Sequence, residues 1–342
     1  MQRDFHYGII KLLALNAGFP SEQAEIIAYA SQYVDDATFH KPVKLSSQLD
    51  LDTHRAYKNK FDPVCTAHKG LQFLQDFKNR VQEQIYLSFH FLPPQPYTGQ
   101  KNYSYLTQPN SSLAQILILW ATAKLKSDYS LENLIRLGIA LHTYADTWAH
   151  QNFSGLHSSV DNDIEQIEIW QLDHWKKIKP YKQLIFNLVP SIGHGEAYDF
   201  PDRPYLRWRY IKQKTKQIII RDNPAIFTDA AKKIFSILCS ITGKNCDWDQ
   251  IRPWFKKYVE FNSSKTKERC NYLKLLFPNI NFNYNDKLWL EQALEYSRIR
   301  RTYIYKAKPK GDMKWFLFHK VAYEQRKFIL NKIKRLTKLI LK

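Results

Sequence analysis

The chain of 342 residues is 44% apolar and 15% aromatic, enough to fill the core of one large or two ordinary domains, which excludes a disordered or low-complexity protein. Four cysteines at irregular spacing (Cys65, Cys239, Cys246, Cys270) exclude a zinc knuckle and a disulfide framework and read as ordinary thiols of a reducing compartment. The net charge of +19 sits mostly at one end: Arg298 to Lys342 holds fifteen Lys or Arg against Asp312 and Glu324, +13 of the total, so anionic partners are expected there first.

Scarce glycine and recurrent apolar spacing of three and four predict a mainly helical, all-α chain. The spacing gives a helix from Asp4 to Ala17 and a second from Ser21, its N-cap, to about Tyr33, which delivers Asp35 and Asp36 at its end. Phe39 to Pro63 reads as irregular and His68 to Tyr86 as helical, followed by a loop through Asn110. Ser111 or Ser112 caps a helix to about Lys126, and Ser130 caps another to Phe153. Further helices are expected at Ile164–Lys177, Tyr205–Ile220, Ala225–Ile241, Trp248–Phe261, Lys265–Phe277 and Lys287–Tyr303. Residues 306–311 form a linker, and a last helix starts near Met313. Residues 1–305 thus make a helical metal-binding domain, and 306–342 a basic linker with an amphipathic helix. Neither a secretory signal nor a membrane-spanning run is visible, which places the chain in the cytoplasm unless it is exported without a signal.

The most informative stretch is Leu134 to His150. His142, Asp146 and His150 are spaced by four, so about 40° separates successive side chains and all three project from one helical stripe. Imidazole nitrogens flanking a carboxylate that can bridge ions suit zinc better than calcium or magnesium. A lone helical histidine is more often a core residue bonded to a carbonyl. Three ionisable groups on one apolar helix are a different matter, because burying them without partners costs several kcal/mol. Gly138, one turn earlier on the stripe, leaves room for another helix or a ligand.

Other candidate ligands are scattered: His6, Asp35, Asp36, His68, His90, His194, Glu196, Asp199 and Asp202. His40, His54, His157, His174 and His319 lie in polar or exposed-looking contexts and are assigned no role. The pattern G-x-x-x-H-x-x-x-D at Gly138, His142 and Asp146, followed by His150 and His194, resembles the zinc-dependent phospholipase C family and the single-strand zinc nucleases. The resemblance implies an all-helical fold and two or three zinc ions bridged by Asp146. By that likeness Asp36, His68, His142 and Asp146 serve one ion, His150 and His194 a second, and His6 joins Asp146 at a third. The chain departs from the pattern in three places, one of them His90, for which that scheme has no place. Met1 stands where those enzymes use the amine of a mature N-terminal Trp, and Tyr198 stands where an acid is expected four residues after His194, leaving Glu196, Asp199 or Asp202 to substitute.

More closely, Asp4-Phe-His-Tyr7, Ser31-Gln-Tyr-Val-Asp-Asp36, Phe89-His-Phe-Leu-Pro93 and His142-Thr-Tyr-Ala-Asp-Thr-Trp-Ala-His-Gln151 resemble an uncharacterised bacterial family, which also marks His90. The function expected is zinc-dependent hydrolysis of phosphate esters, phospholipase C-like, with Asp35, Asp36 and Asp146 as catalytic carboxylates. The alternatives are a single-strand nuclease-like phosphodiesterase and a non-catalytic helical protein with a structural metal or ligand site. The basic C-terminal helix, with Ile329, Ile333, Leu336 and Ile340 on one face, suits an anionic membrane surface or single-stranded nucleic acid, or simply packs on the domain.

Overall fold

The computed structural model describes residues 1–39, 41–44, 56–57, 60–69, 72, 75–76, 78–99, 103–178, 192–297, 302–305 and 313–333. A wide π-helical turn at Asp4–Ile9 runs into α1 (Ile10–Asn16), and α2 (Ser21–Asp36) follows after Gly18. Ser21 is already helical and its side chain caps nothing; Pro20 precedes it in extended geometry. After three two-residue strands, β1 (Val43–Lys44), β2 (Ala56–Tyr57) and β3 (Lys60–Phe61), the turn α3 (Asn79–Val81) leads into a second π-helical stretch, Gln82–His90. Helices α4 (Ser112–Ser127) and α5 (Leu131–Ala149) follow, with Ser111 Oγ accepting from Ala114 N at 3.4 Å.

An all-α fold is not what forms. Strands build two sheets, and the fold is mixed α and β. After a short α6 (Ser159–Asn162), the residues expected as two helices become β4 (Ile164–Gln171), β5 (His174–Lys177), β6 (Arg207–Lys212) and β7 (Ile218–Asp222), an antiparallel sheet in the order β5-β4-β6-β7. The cause is local. Ile164 and Ile167 mimic helical spacing only because a bulge with Gln166 at φ 49° inserts a residue between them. In β6, Trp208, Tyr210 and Lys212 alternate inward with period two.

Helices α7 (Asn223–Thr242), α8 (Arg252–Glu260) and α9 (Thr266–Leu276) stand close to expectation. The segment expected as one helix over Lys287–Tyr303 splits into α10 (Leu288–Ala293), β8 (Leu294–Ser297) and β9 (Thr302–Tyr305); β8 and β9 join β1 to β3 in a sheet whose β1–β9 pairing is parallel. Helix α11 (Lys314–Lys332) closes the described chain. Its Trp315, Phe316, Phe318 and Ile329, with Ile333 just beyond, are buried in the main core. The described half of the apolar face assigned to a membrane or nucleic acid is therefore used in packing, and Leu336, Ile340 and the 306–311 linker lie outside the described residues.

Two further corrections concern cysteine and histidine. Cys239 and Cys246 pair as a disulfide, which ties the end of α7 to the following loop, and only Cys65 and Cys270 are free. His319 is fully buried, with Nδ1 at 3.0 Å from Val64 N and 3.1 Å from Val64 O. His40 and His54 fall outside the described residues. Among the described residues no helix is long and apolar enough to cross a membrane.

Candidate metal centre

Helix α5 runs through the middle of the core, packed on α2, α4 and α11, and carries His142 and Asp146, with His150 at its C-cap. Its C-terminal carbonyls would be orphaned in so buried a place. Arg221 of β7 takes them: its guanidinium donates to the carbonyls of Trp148 at 3.2 Å, Ala149 at 2.8 Å and Gln151 at 3.0 Å. The antiparallel sheet thereby anchors the end of the helix that presents His150.

Asp146 is the hub. Three ring nitrogens converge on its Oδ2: His90 Nδ1 at 3.2 Å, His142 Nε2 at 3.3 Å and His150 Nδ1 at 3.6 Å. Its Oδ1 faces His6 Nε2 at 3.1 Å and the Met1 nitrogen at 2.6 Å. Asp35, at the end of α2, reaches the same group, with Oδ1 at 3.7 Å from His142 Nε2 and 3.9 Å from His90 Nδ1. A second carboxylate, Asp202, lies 3.7 Å from His150 Nε2, 3.8 Å from His194 Nε2 and 3.1 Å from the Met1 nitrogen. Ligand atoms lie close enough to share an ion in three sets: His6, Asp35 and His142; His90, His142 and Asp146; and His150, His194 and Asp202.

The ring orientations are fixed from behind. A carbonyl oxygen can only accept, so the nitrogen facing it carries a proton, and in the neutral ring the other nitrogen keeps its lone pair. His90 Nε2 faces Thr66 O at 2.9 Å, leaving Nδ1 for the cluster; His194 Nδ1 faces Tyr198 O at 2.7 Å, leaving Nε2 toward Asp202. His150 Nδ1 faces His90 O at 2.9 Å, leaving Nε2 toward Asp202. Such outer partners set tautomer and basicity at metal sites. Gly193, at φ 59°, brings the chain so near Phe91 that a Cβ would meet a ring carbon at 2.8 Å; Phe91 in turn stacks on His150 at 4.4 Å between centroids.

Electrostatics agree with a cation site. Burial would raise the carboxyl of Asp146, but His150, the Met1 amine, His142 and His6 hold it well below the usual range. Burial likewise opposes ionisation of Asp202, which the Met1 amine and His194 hold far down. Burial lowers His194 to about 4 against the pull of Asp202, so its imidazole is neutral, the ligating form. The Met1 ammonium loses by burial and gains more from Asp146 and Asp202, ending at about 11. Burial also raises Asp35, against His142 and His90. The donor set fits a metal: nitrogens with free lone pairs and carboxylates meet at one buried point, where without a cation several must be protonated to avoid repulsion.

Of the expected ligands, His6, His90, His142, Asp146, His150, His194, Asp35 and Asp202 come together. Others do not. Asp36, one residue past Asp35, lies on the wall of the same cavity but joins none of the three sets, accepting instead from Lys69 Nζ at 2.5 Å and Tyr284 OH at 2.7 Å. Glu196 accepts from Ile164 N at 2.7 Å, and Asp199 pairs with Arg203 at 2.7 Å. His68 is not in a helix and lies outside the cluster, its Nδ1 at 2.5 Å from Asp76 Oδ1, while Tyr86 OH donates to Asp76 Oδ2 at 2.7 Å. Sequence reasoning missed Arg221, Asp76 and the carbonyls behind the rings, none of which has a motif.

The His68–Asp76 pair gives a pH signature. Burial alone would lower His68, but hydrogen bonds with Asp76 and Cys65 push it up to about 9. A raised pKa means stabilisation that is complete below the unfolded value of about 6.5 and lost as pH rises through about 9. In urea titrations across that range, His68→Gln is expected to remove about 1 kcal/mol of the wild-type pH dependence, a modest figure because His68 lines the open cavity, where water screens the pair. Parallel wild-type and mutant profiles would show that the pair carries no such linkage.

Residues 1–333 match the model of a family of unknown function (DUF6765). The chain belongs to this family. Neither a curated protein nor a solved structure matches it. For this DUF6765 chain, function must therefore be read from the centre itself, which opens into a cavity of about 710 Å³ lined by Asp35, His90, His150 and His194, with Arg3 and Lys69 also on its wall.

Proposed function

We propose that the chain is a zinc-dependent hydrolase of phosphate esters, phospholipase C-like in its chemistry. The observation that carries this reading is the convergence of His90 Nδ1 and His142 Nε2 on one oxygen of Asp146, with Asp35 beside them and His150 Nε2, His194 and Asp202 gathered next to that group. Asp35, His90, His142 and Asp146 would hold one ion, His150, His194 and Asp202 a second, and His6 with Asp146 a third. Bound zinc would lower the pKa of water to about 7 and neutralise phosphate oxygens.

The chain's own groups do the rest. Asp35 borders the cavity, so one of its oxygens would hold the ion while the other is placed to take a proton from an attacking water. Asp36 binds Lys69 and Tyr284, which fixes the end of α2 on which Asp35 stands. Lys69 and Arg3 on the cavity wall supply cations for a phosphate group.

Protein purified without tag or chelator is expected to hold at least one tightly bound transition metal per chain and to hydrolyse bis-p-nitrophenyl phosphate when zinc is added. His142→Ala should lose both. Less than one ion per chain, unchanged by that substitution, would sink the proposal.

A further inference from the structure

The outer face of the antiparallel sheet takes no part in the metal centre. Its inner face is buried, with Trp208 and Tyr210 packed against Phe153 and Phe200. The outer face keeps side chains that a solvated sheet normally avoids. Pairing of Glu168 with Arg209 and of Arg209 with Ile220 sets Trp170, Glu168, Arg209, Ile220 and Ile218 on one side, where Trp170 also meets Trp175 across the β4–β5 pair. Ile218 is 58% exposed, Ile220 66% and Trp170 38%. Leu172, at the tip of the β4–β5 hairpin, is 85% exposed and held at φ 51° beside Asp173 at φ 59°. A two-residue turn with both φ positive favours Asn or Gly, and an L side chain there costs about 1–2 kcal/mol. Packing gives no reason for leucine at that tip.

Beside this face lies a cleft of about 740 Å³, separate from the metal cavity, whose wall carries Trp170, the cations Arg207, Lys232, Arg252 and Lys256, and the carboxylates Asp222, Asp229 and Glu260. Lys177 of β5 and Lys214 in the turn between β6 and β7 are exposed as well. The ion pairs Arg207–Asp222 at 3.3 Å, Arg252–Asp249 at 2.6 Å and Lys256–Glu260 at 3.8 Å are all exposed and of little worth, so a phosphate can displace the carboxylates.

We propose that this face docks the protein on an anionic lipid bilayer, with Leu172, Ile218, Ile220 and Trp170 entering the headgroup boundary and the cations of the cleft meeting lipid phosphates. The residue chemistry selects this occupant. Leucine and isoleucine so exposed gain from hydrocarbon and offer nothing to a nucleobase or sugar. Tryptophan settles where apolar and polar layers meet. Lysine and arginine around an apolar centre are what an anionic surface attracts. This docking face shares no residue with the cavity of the metal centre.

Co-sedimentation of the full chain with vesicles, at physiological salt, tests it. Vesicles of phosphatidylcholine with added phosphatidylglycerol are expected to pellet the wild type, and phosphatidylcholine alone to pellet little. Leu172→Ser combined with Ile218→Ser and Ile220→Ser should weaken binding roughly tenfold or more, since each buried CH₂ contributes about 0.8 kcal/mol. Arg252→Glu with Lys256→Glu should abolish the preference for anionic vesicles. All five positions are exposed, and unchanged circular dichroism keeps folding out of the comparison. A wild type that stays in solution, or a triple variant that pellets like it, overturns the proposal. So does a dimer, or binding of single-stranded RNA, that the same triple substitution removes.

Discussion

Asp146→Asn is expected to lower phosphodiester hydrolysis about a thousandfold, the equivalent of about 4 kcal/mol of transition-state stabilisation. The substitution keeps shape and burial but removes the charge on which His6, His90, His142, His150 and the Met1 nitrogen all converge. Its second effect is on stability. With chelator present, the neutral amide leaves the buried Met1 ammonium without one of its two counter-charges, which costs about 3–5 kcal/mol. Bound metal offsets part of that loss, so the gap in melting temperature between mutant and wild type should depend on zinc. Asp199→Asn is the control: its carboxylate pairs with Arg203 away from the cluster. Metal content, turnover and melting measured together decide the matter. Full activity of Asp146→Asn with undiminished metal would remove Asp146 from the centre.

The stripe His142, Asp146 and His150 was legible because helical periodicity alone puts three side chains on one face, whatever surrounds them. His6, His90 and His194 could be named but not joined, since what brings them together is tertiary. His6 and His90 ride on wide π-helical turns, which leave no propensity signal and often mark functional sites. The choice between Asp35 and Asp36 turned on which one meets Lys69 and Tyr284, contacts made across 33 and 248 residues. At His194 the acid expected four residues on is Tyr198, whose carbonyl orients the ring, and Asp202 supplies the carboxylate. The sheets were missed for a different reason. β4 hides its alternation behind a bulge, and β6 and β7 bury tryptophan, tyrosine and arginine rather than a run of valines. Helices with capped or strongly periodic sequences, such as α4 and α7, carried their own signals.

Gly138→Ala is expected to destabilise the protein by about 2 kcal/mol and to weaken metal binding with it. In an open helix the change would gain about 1 kcal/mol, because alanine is the better helix former. Here the sign reverses. A Cβ on Gly138 would sit 2.7 Å from Ala30 Cβ and closer still to the Ile27 carbonyl oxygen, and neither a backbone carbonyl nor a methyl at the root of its side chain can swing aside. Overpacking of this kind costs about 1–3 kcal/mol, occasionally more, and is relieved only by moving one helix. The helix displaced is α2, which carries Asp35 five residues beyond Ala30, whereas α5 carries His142 and Asp146 one and two turns beyond Gly138. One methyl at the crossing therefore acts on both walls of the first ion group. Urea unfolding with and without zinc reads both effects, and Gly195→Ala, where a Cβ meets nothing within 4 Å, serves as the neutral comparison. If Gly138→Ala unfolds at the wild-type urea midpoint and holds the same metal, the close approach of α2 to α5 does not set the distance between Asp35 and His142.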